Sequence, residues 1–225
     1  MSKNKKSQVI SISLLCLFLI YPILFNSFFN LMGISNKQTL LFISDILFSL
    51  LIIYIYRKKL KLDLKSIKKM SSKAIGKILY SIIILLGILF IIALFTYFVF
   101  PNYEWNTNNT AIYNLYKENY PYFLFKIFLF SSITEELLFK ENMSKLLPGN
   151  IAFIFISSLV YVLFNFIFSI SENQYAMFNI IIMYIQAMSF SYIYIKNDRN
   201  IVISMIIKFL YNLLPFISLS AGVLI

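Results

Sequence analysis

Long apolar runs, broken by short polar segments, are the dominant pattern of this chain. Runs of about 18 or more residues with few charges cross a bilayer as helices, because about 20 residues at 1.5 Å each span the hydrocarbon. Seven such runs are present, at 9–29, 39–56, 78–100, 122–140, 151–170, 175–195 and 201–225. Pro148-Gly149 is a stop signal if the fourth helix continues past residue 140. The pattern predicts an all-α polytopic membrane bundle. Residues 1–121 would hold three helices, a basic loop at 57–77 and an outer loop at 101–121, and residues 122–225 a helical core.

Composition agrees with a lipid environment. Of 225 residues, 60% are apolar and 13% charged, against roughly half and a quarter in soluble domains. The net charge of +11 would suit nucleic acid if the cations lined one folded face. They sit instead in the gaps between apolar runs, which excludes that class. Lys3, Lys5 and Lys6 precede a run too long for a cleaved secretory signal, so a retained anchor is expected.

The cations orient the bundle. With the N-terminus inside, Lys3, Lys5, Lys6, the basic residues of 57–77, Lys140, Lys145, Lys196 and Arg199 are cytoplasmic, sixteen in all. Only Lys37 and Lys117 fall outside, while Lys126 and Lys208 lie within spanning runs. Positive charge accumulates on the cytoplasmic side, so the N-terminus is expected inside and the C-terminus outside. Trp105 and the tyrosines of the outer loop suit the headgroup layer, and Asn108 begins a glycosylation sequon by spelling. The basic loop could touch anionic lipid, although an ordinary positive-inside loop accounts for it.

An ionised side chain at the bilayer centre costs about 2.5–3.5 kcal/mol on insertion scales, so polar residues there need partners or a use. Three runs carry them at helical spacing. The fourth has Glu135, Glu136 and Lys140, with Glu136 and Lys140 four apart on one face. The fifth has Tyr161 and Asn165, and the seventh Lys208 and Asn212, again four apart. Gln186 adds a polar group on the sixth. All could converge on one polar pocket in which the acids meet Lys140 and Lys208. Helix-to-helix glue is the alternative use of the same residues, and ion transport is a third.

Glu-Glu-x-x-x-Lys, then aromatic-x-x-x-Asn, then Lys-x-x-x-Asn resembles the CPBP family, also called Abi. This family includes type II CAAX prenyl proteases, bacteriocin-processing and immunity proteins, and proteins similar to lysostaphin resistance protein A. Its motifs are Glu-Glu-x-x-x-Arg, Phe-x-x-x-His and His-x-x-x-Asn or Asp. The resemblance covers about 128–216 and implies a multi-pass protein of a bacterial cell membrane. It makes Glu135 the general base, Glu136 its companion and Asn212 the matching amide. Lys140 then stands in place of Arg, Tyr161 of Phe, Asn165 of the first His and Lys208 of the second.

These departures fall on the chemistry. Lys lacks the rigid fork with which Arg orients a carboxylate, and an amide cannot exchange a proton near neutral pH. With no histidine in the chain and one cysteine, Cys16, in the first run, a zinc site lacks its usual ligands. No metal or cofactor is therefore expected. The resemblance implies a CAAX-protease-like fold with a degenerate site, a pseudoenzyme binding an envelope protein or peptide or acting in bacteriocin immunity. A metal-independent, glutamate-dependent endopeptidase is the alternative.

Overall fold

A computed structural model describes residues 3–31, 36–69, 71–100, 109–168 and 176–220. The described residues form eight helices and no strand. They are α1 (Lys3–Leu31), α2 (Lys37–Lys69), α3 (Ser71–Val99), α4 (Asn109–Glu118), a composite α5 over 120–146, α6 (Asn150–Phe168), α7 (Ala176–Lys196) and α8 (Ile201–Ser220). Each predicted run falls on a helix. Residues 169, 170, 175 and 221–225 at the ends of the last three runs lie outside the described residues, as do Trp105 and Asn108.

Two predicted loops take other forms. The basic segment 57–77 is helical almost throughout, because α2 runs on to Lys69 and α3 starts at Ser71. The 33 residues of α2 reach about 50 Å, well beyond a hydrocarbon core. Hydropathy marks where a helix leaves lipid, not where its hydrogen-bond ladder ends. The outer loop holds α4, an amphipathic helix.

By length and composition, stretches of α1, α2, α3 and α7 suffice to cross a membrane, while the apolar parts of α6 and α8 are shorter. Only 17% of the apolar window of α3 is buried within the protein. Leu79, Ile83, Phe90, Ile91, Tyr97 and Phe98 all face outward. That much contiguous apolar surface is tolerable only against lipid. The protein is a multi-pass membrane protein.

α5 occupies the centre. Its Phe130, Leu137, Leu138, Phe139 and Met143 pack with Phe18 of α1, Phe48 and Ile52 of α2, Phe153 of α6, Tyr194 of α7 and Met205 of α8. α3 stands at the edge, joined through Leu85 to Phe190 of α7 and Ile207 of α8.

Many of the buried polar residues are tied to partners on other helices. Near the α1–α2 turn, Asp45 of α2 is buried and receives Lys126 Nζ at 2.7 Å, Tyr122 OH at 2.9 Å and Tyr21 OH at 2.5 Å. At the opposite end the α7–α8 turn is held by its neighbours. Arg199 donates to the Pro148 carbonyl and to Asn150 Oδ1. Asp63 Oδ2 accepts from Ile201 N at 2.8 Å, and Asn200 Oδ1 accepts from Val202 N and Ile203 N. The free amides at the start of α8 are thus capped by two side chains, one of them anionic, as the helix dipole favours.

Replacing Asp45 with Leu leaves an ammonium and two hydroxyls without their acceptor. We expect a loss of about 1–3 kcal/mol, since Lys126 is partly exposed and its share is screened. Unfolding in detergent micelles measures it, with Lys77→Met, which breaks an exposed pair with Asp198, as a near-neutral control. For orientation, a Cys16→Ser background carrying Lys117→Cys should label from outside the cell. One carrying Lys61→Cys should label only after the membrane is opened.

Candidate functional site

The acidic pair lies on an unusually wound part of α5. The helix starts at Tyr120, where Asn119 Oδ1 accepts from Tyr122 N at 3.2 Å and Pro121 lies in the first turn. It is α-helical over Tyr120–Leu124, π-helical over Phe125–Glu135 and Leu137–Asn142, and α-helical again over Met143–Leu146. The π ladder, with i→i+5 hydrogen bonds, is rare and concentrates at functional sites. Nothing in the local sequence announces it, and the apolar run alone predicts an ordinary α-helix.

The two carboxylates have different surroundings. Glu135 is half-buried and accepts from Ser131 Oγ at 3.2 Å and from Tyr161 OH at 3.3 Å. Glu136 is buried and accepts from Ser204 Oγ of α8. The expected Glu136–Lys140 ion pair does not form. Lys140, also buried, donates to Ser191 Oγ of α7 at 3.1 Å, and Ser157 and Ser158 of α6 share that hydroxyl at 3.1 and 3.0 Å. Interhelical serines outcompete the pairing along the helix because each satisfies a charge while joining two helices.

Lys208 is 9% exposed and meets rings. Its ammonium lies 4.3 Å from the centre of Phe190, 5.6 Å from Tyr211 and 5.7 Å from Tyr161. Among the described residues it makes no ion pair. Glu136, Lys140, Tyr161, Gln186 and Lys208 line one small cavity of about 40 Å³, walled by Met183, Ala187 and Phe190. By that measure it holds a few waters, each needing about 10–15 Å³.

Two of the remaining positions are directed elsewhere. Asn165 Nδ2 donates to the Tyr161 carbonyl of its own helix at 2.8 Å. Asn212 Nδ2 reaches the Ile127 carbonyl at 2.7 Å and Ser132 Oγ at 3.3 Å. That contact ties α8 to the π-wound segment about one turn before the carboxylates. The single pocket expected from helical spacing therefore gathers Glu136, Lys140, Tyr161, Gln186 and Lys208. Glu135 stands beside it through Tyr161, and neither Asn165 nor Asn212 lines it.

This arrangement of an acidic pair on a central helix, an aromatic on the next and a basic residue on the last accompanies a match in sequence. Residues 117–214 match the family described as type II CAAX prenyl endopeptidase Rce1-like. Over this segment the chain is CAAX-protease-like. The matched segment runs from the end of α4 into α8 and includes Glu135, Glu136, Lys140, Asn165, Lys208 and Asn212. Helices α1 to α3 lie outside it. No curated protein and no solved structure matches the chain.

Ser191 and Ser204, with the Ser157-Ser158 pair, escaped the sequence reading although they hold Lys140 and Glu136. A signal existed: Ser204 is four residues before Lys208, and Ser157 four before Tyr161, the spacing that marked the other polar residues. Serine is too common in membrane helices for that spacing to stand out. Removing the Ser204 hydroxyl should expose its role. Ser204→Ala is expected to cost about 1–3 kcal/mol by leaving Glu136 short of a donor. Ser189→Ala, whose hydroxyl returns to its own helix at Ile185, should change the unfolding midpoint little.

Proposed function

We propose that this CAAX-protease-like bundle no longer hydrolyses peptides and acts by binding a membrane or envelope partner, in the manner of a bacteriocin immunity protein. The carrying observation is the Lys208 ammonium in its ring of Phe190, Tyr161 and Tyr211, where the family has an imidazole. An imidazole can give and take a proton near neutral pH, whereas an ammonium only donates. Two further features favour the reading. Glu136 is engaged by Ser204, and Asn165, the other position where the family has histidine, bonds to its own helix. The cavity volume of about 40 Å³ is too small for a peptide segment beside Glu136.

Glu135 favours a second reading, a metal-independent glutamate endopeptidase. It keeps partial exposure, and the Tyr161 hydroxyl beside it is a donor that could serve a developing oxyanion. The two readings separate on one measurement. Wild-type protein reconstituted in liposomes with a prenylated CAAX reporter peptide should show no cleavage above that of Glu135→Ala. Cleavage that Glu135→Ala abolishes would establish the endopeptidase instead. The double substitution Asn165→His with Lys208→His asks whether the scaffold still supports chemistry, and gained Glu135-dependent cleavage is the expected result.

A further inference from the structure

We infer that the tail of α2 beyond its apolar run, residues 57–69, carries on one face a binding surface for the anionic phospholipid headgroups of the leaflet from which it emerges. This surface is separate from the carboxylate site and serves whether or not the bundle hydrolyses peptides.

The tail is helical to Lys69, so its cations have fixed directions. At about 100° per residue, Arg57, Lys58, Lys61, Lys65, Lys68 and Lys69 fall within one arc of about 120°, and all six are exposed. Tyr56, Leu60 and Ile67 take the opposite face and pack on the bundle. Asp63 is the only acid between residues 57 and 77. It is buried and committed inward, to Lys59 at 3.1 Å and to Ile201 N at 2.8 Å. Among the described residues no carboxylate pairs with the six cations. Arg57, Lys61, Lys65 and Lys69 follow at four-residue spacing, where like charges repel across a helix turn. An anionic surface offsets that repulsion. The positive-inside tendency accounts for the number of cations, but not for their alignment along a helix face.

Position selects the occupant. α3 begins at Ser71 and its apolar run at Ile78, so Ser71 stands at most about 10 Å beyond the hydrocarbon at 1.5 Å per residue. Lys69, two residues away, is held near that height, although an upright helix over 57–69 would reach about 20 Å. The stripe is kept close to the bilayer, where the field of anionic headgroups acts over a screening length of about 8–10 Å at ordinary salt. Leu62 and Leu64 flank the stripe, one on each side, and both are exposed. Leucines beside lysines suit the boundary of headgroup and acyl chain, because lysine stems lie along apolar surface while their ammonium groups reach phosphate. An acidic protein partner would meet the same charges but would give the leucines no use.

Phosphatidylglycerol is the probe. The immobilised full chain in detergent micelles is offered equal amounts of phosphatidylglycerol and phosphatidylcholine with identical acyl chains. Lipid retained after washing is extracted and counted by mass spectrometry, so the orientation of the chain in a cell does not enter. Wild-type protein should retain phosphatidylglycerol in preference, by roughly tenfold, and that preference should fall between about 50 and 500 mM salt. Lys61→Gln combined with Lys65→Gln and Lys68→Gln should bring the two lipids to parity. Lys5→Gln combined with Lys117→Gln and Lys196→Gln removes the same charge at exposed lysines elsewhere and should keep the preference. Equal retention by wild-type protein, or a preference that survives the stripe substitutions, would overturn the surface. Should the stripe variant fail to fold, the salt series on wild-type protein decides the matter, and a preference indifferent to salt refutes it. Capture of poly-glutamate through the stripe without any lipid preference would assign it to an acidic protein partner and equally refute the lipid surface.

Discussion

Hydrocarbon offers no hydrogen bonds, so a charge carried into this bundle is costly until a neighbour on another helix meets it. That constraint governs the arrangement around α5. This central helix carries Lys126, Glu135, Glu136, Lys140 and Glu141, and each is met by a different neighbour. Asp45 of α2 takes Lys126, Tyr161 of α6 reaches Glu135, Ser204 of α8 holds Glu136, Ser191 of α7 holds Lys140, and Tyr194 of α7 donates to Glu141. Apolar side chains pack against lipid as well as against one another, so they cannot by themselves specify which helix lies beside which. The polar contacts can.

The contacts fall into three levels along the bundle. The level near the α1–α2 turn centres on Asp45. The middle level is the cavity with its two lysines. The third lies at the basic end, where Lys59 pairs with Asp63 at 3.1 Å and Asp63 in turn caps α8. The level around Asp45 is matched in direct contacts. The basic end keeps a cavity of about 290 Å³ beside Asp63, Lys77, Asn197 and Asn200, and the middle level a smaller one of about 40 Å³ beside Glu136 and Lys208.

Positions 140, 165 and 208 carry an amine, an amide and an amine. If the resemblance aligns them with the family's guanidinium and two imidazoles, the proposed binding role follows from that exchange, because neither an amide nor an ammonium accepts a proton from water near neutral pH as an imidazole does.

The apolar runs were legible because lipid imposes a length and a composition that need no tertiary information, and a backbone in hydrocarbon must satisfy itself as helix. The polar residues of α5, α6 and α8 were legible for the same reason, since each is costly where it stands. Their partners were not. Spacing suggested Glu136 with Lys140, yet neighbours on other helices claimed both, and the π winding of α5 has no local signature. The extension of α2 to Lys69 and the helix α4 were also hidden, because hydropathy reports contact with lipid and not helical hydrogen bonding. Asp45, a single acid in an apolar run, acquired its meaning only when α5 brought Lys126 beside it. The sequence by itself determined a membrane-embedded helical protein and the costly residues within it. Tertiary structure alone decided which of them meet, because pairing across helices depends on register and rotation that no single helix encodes.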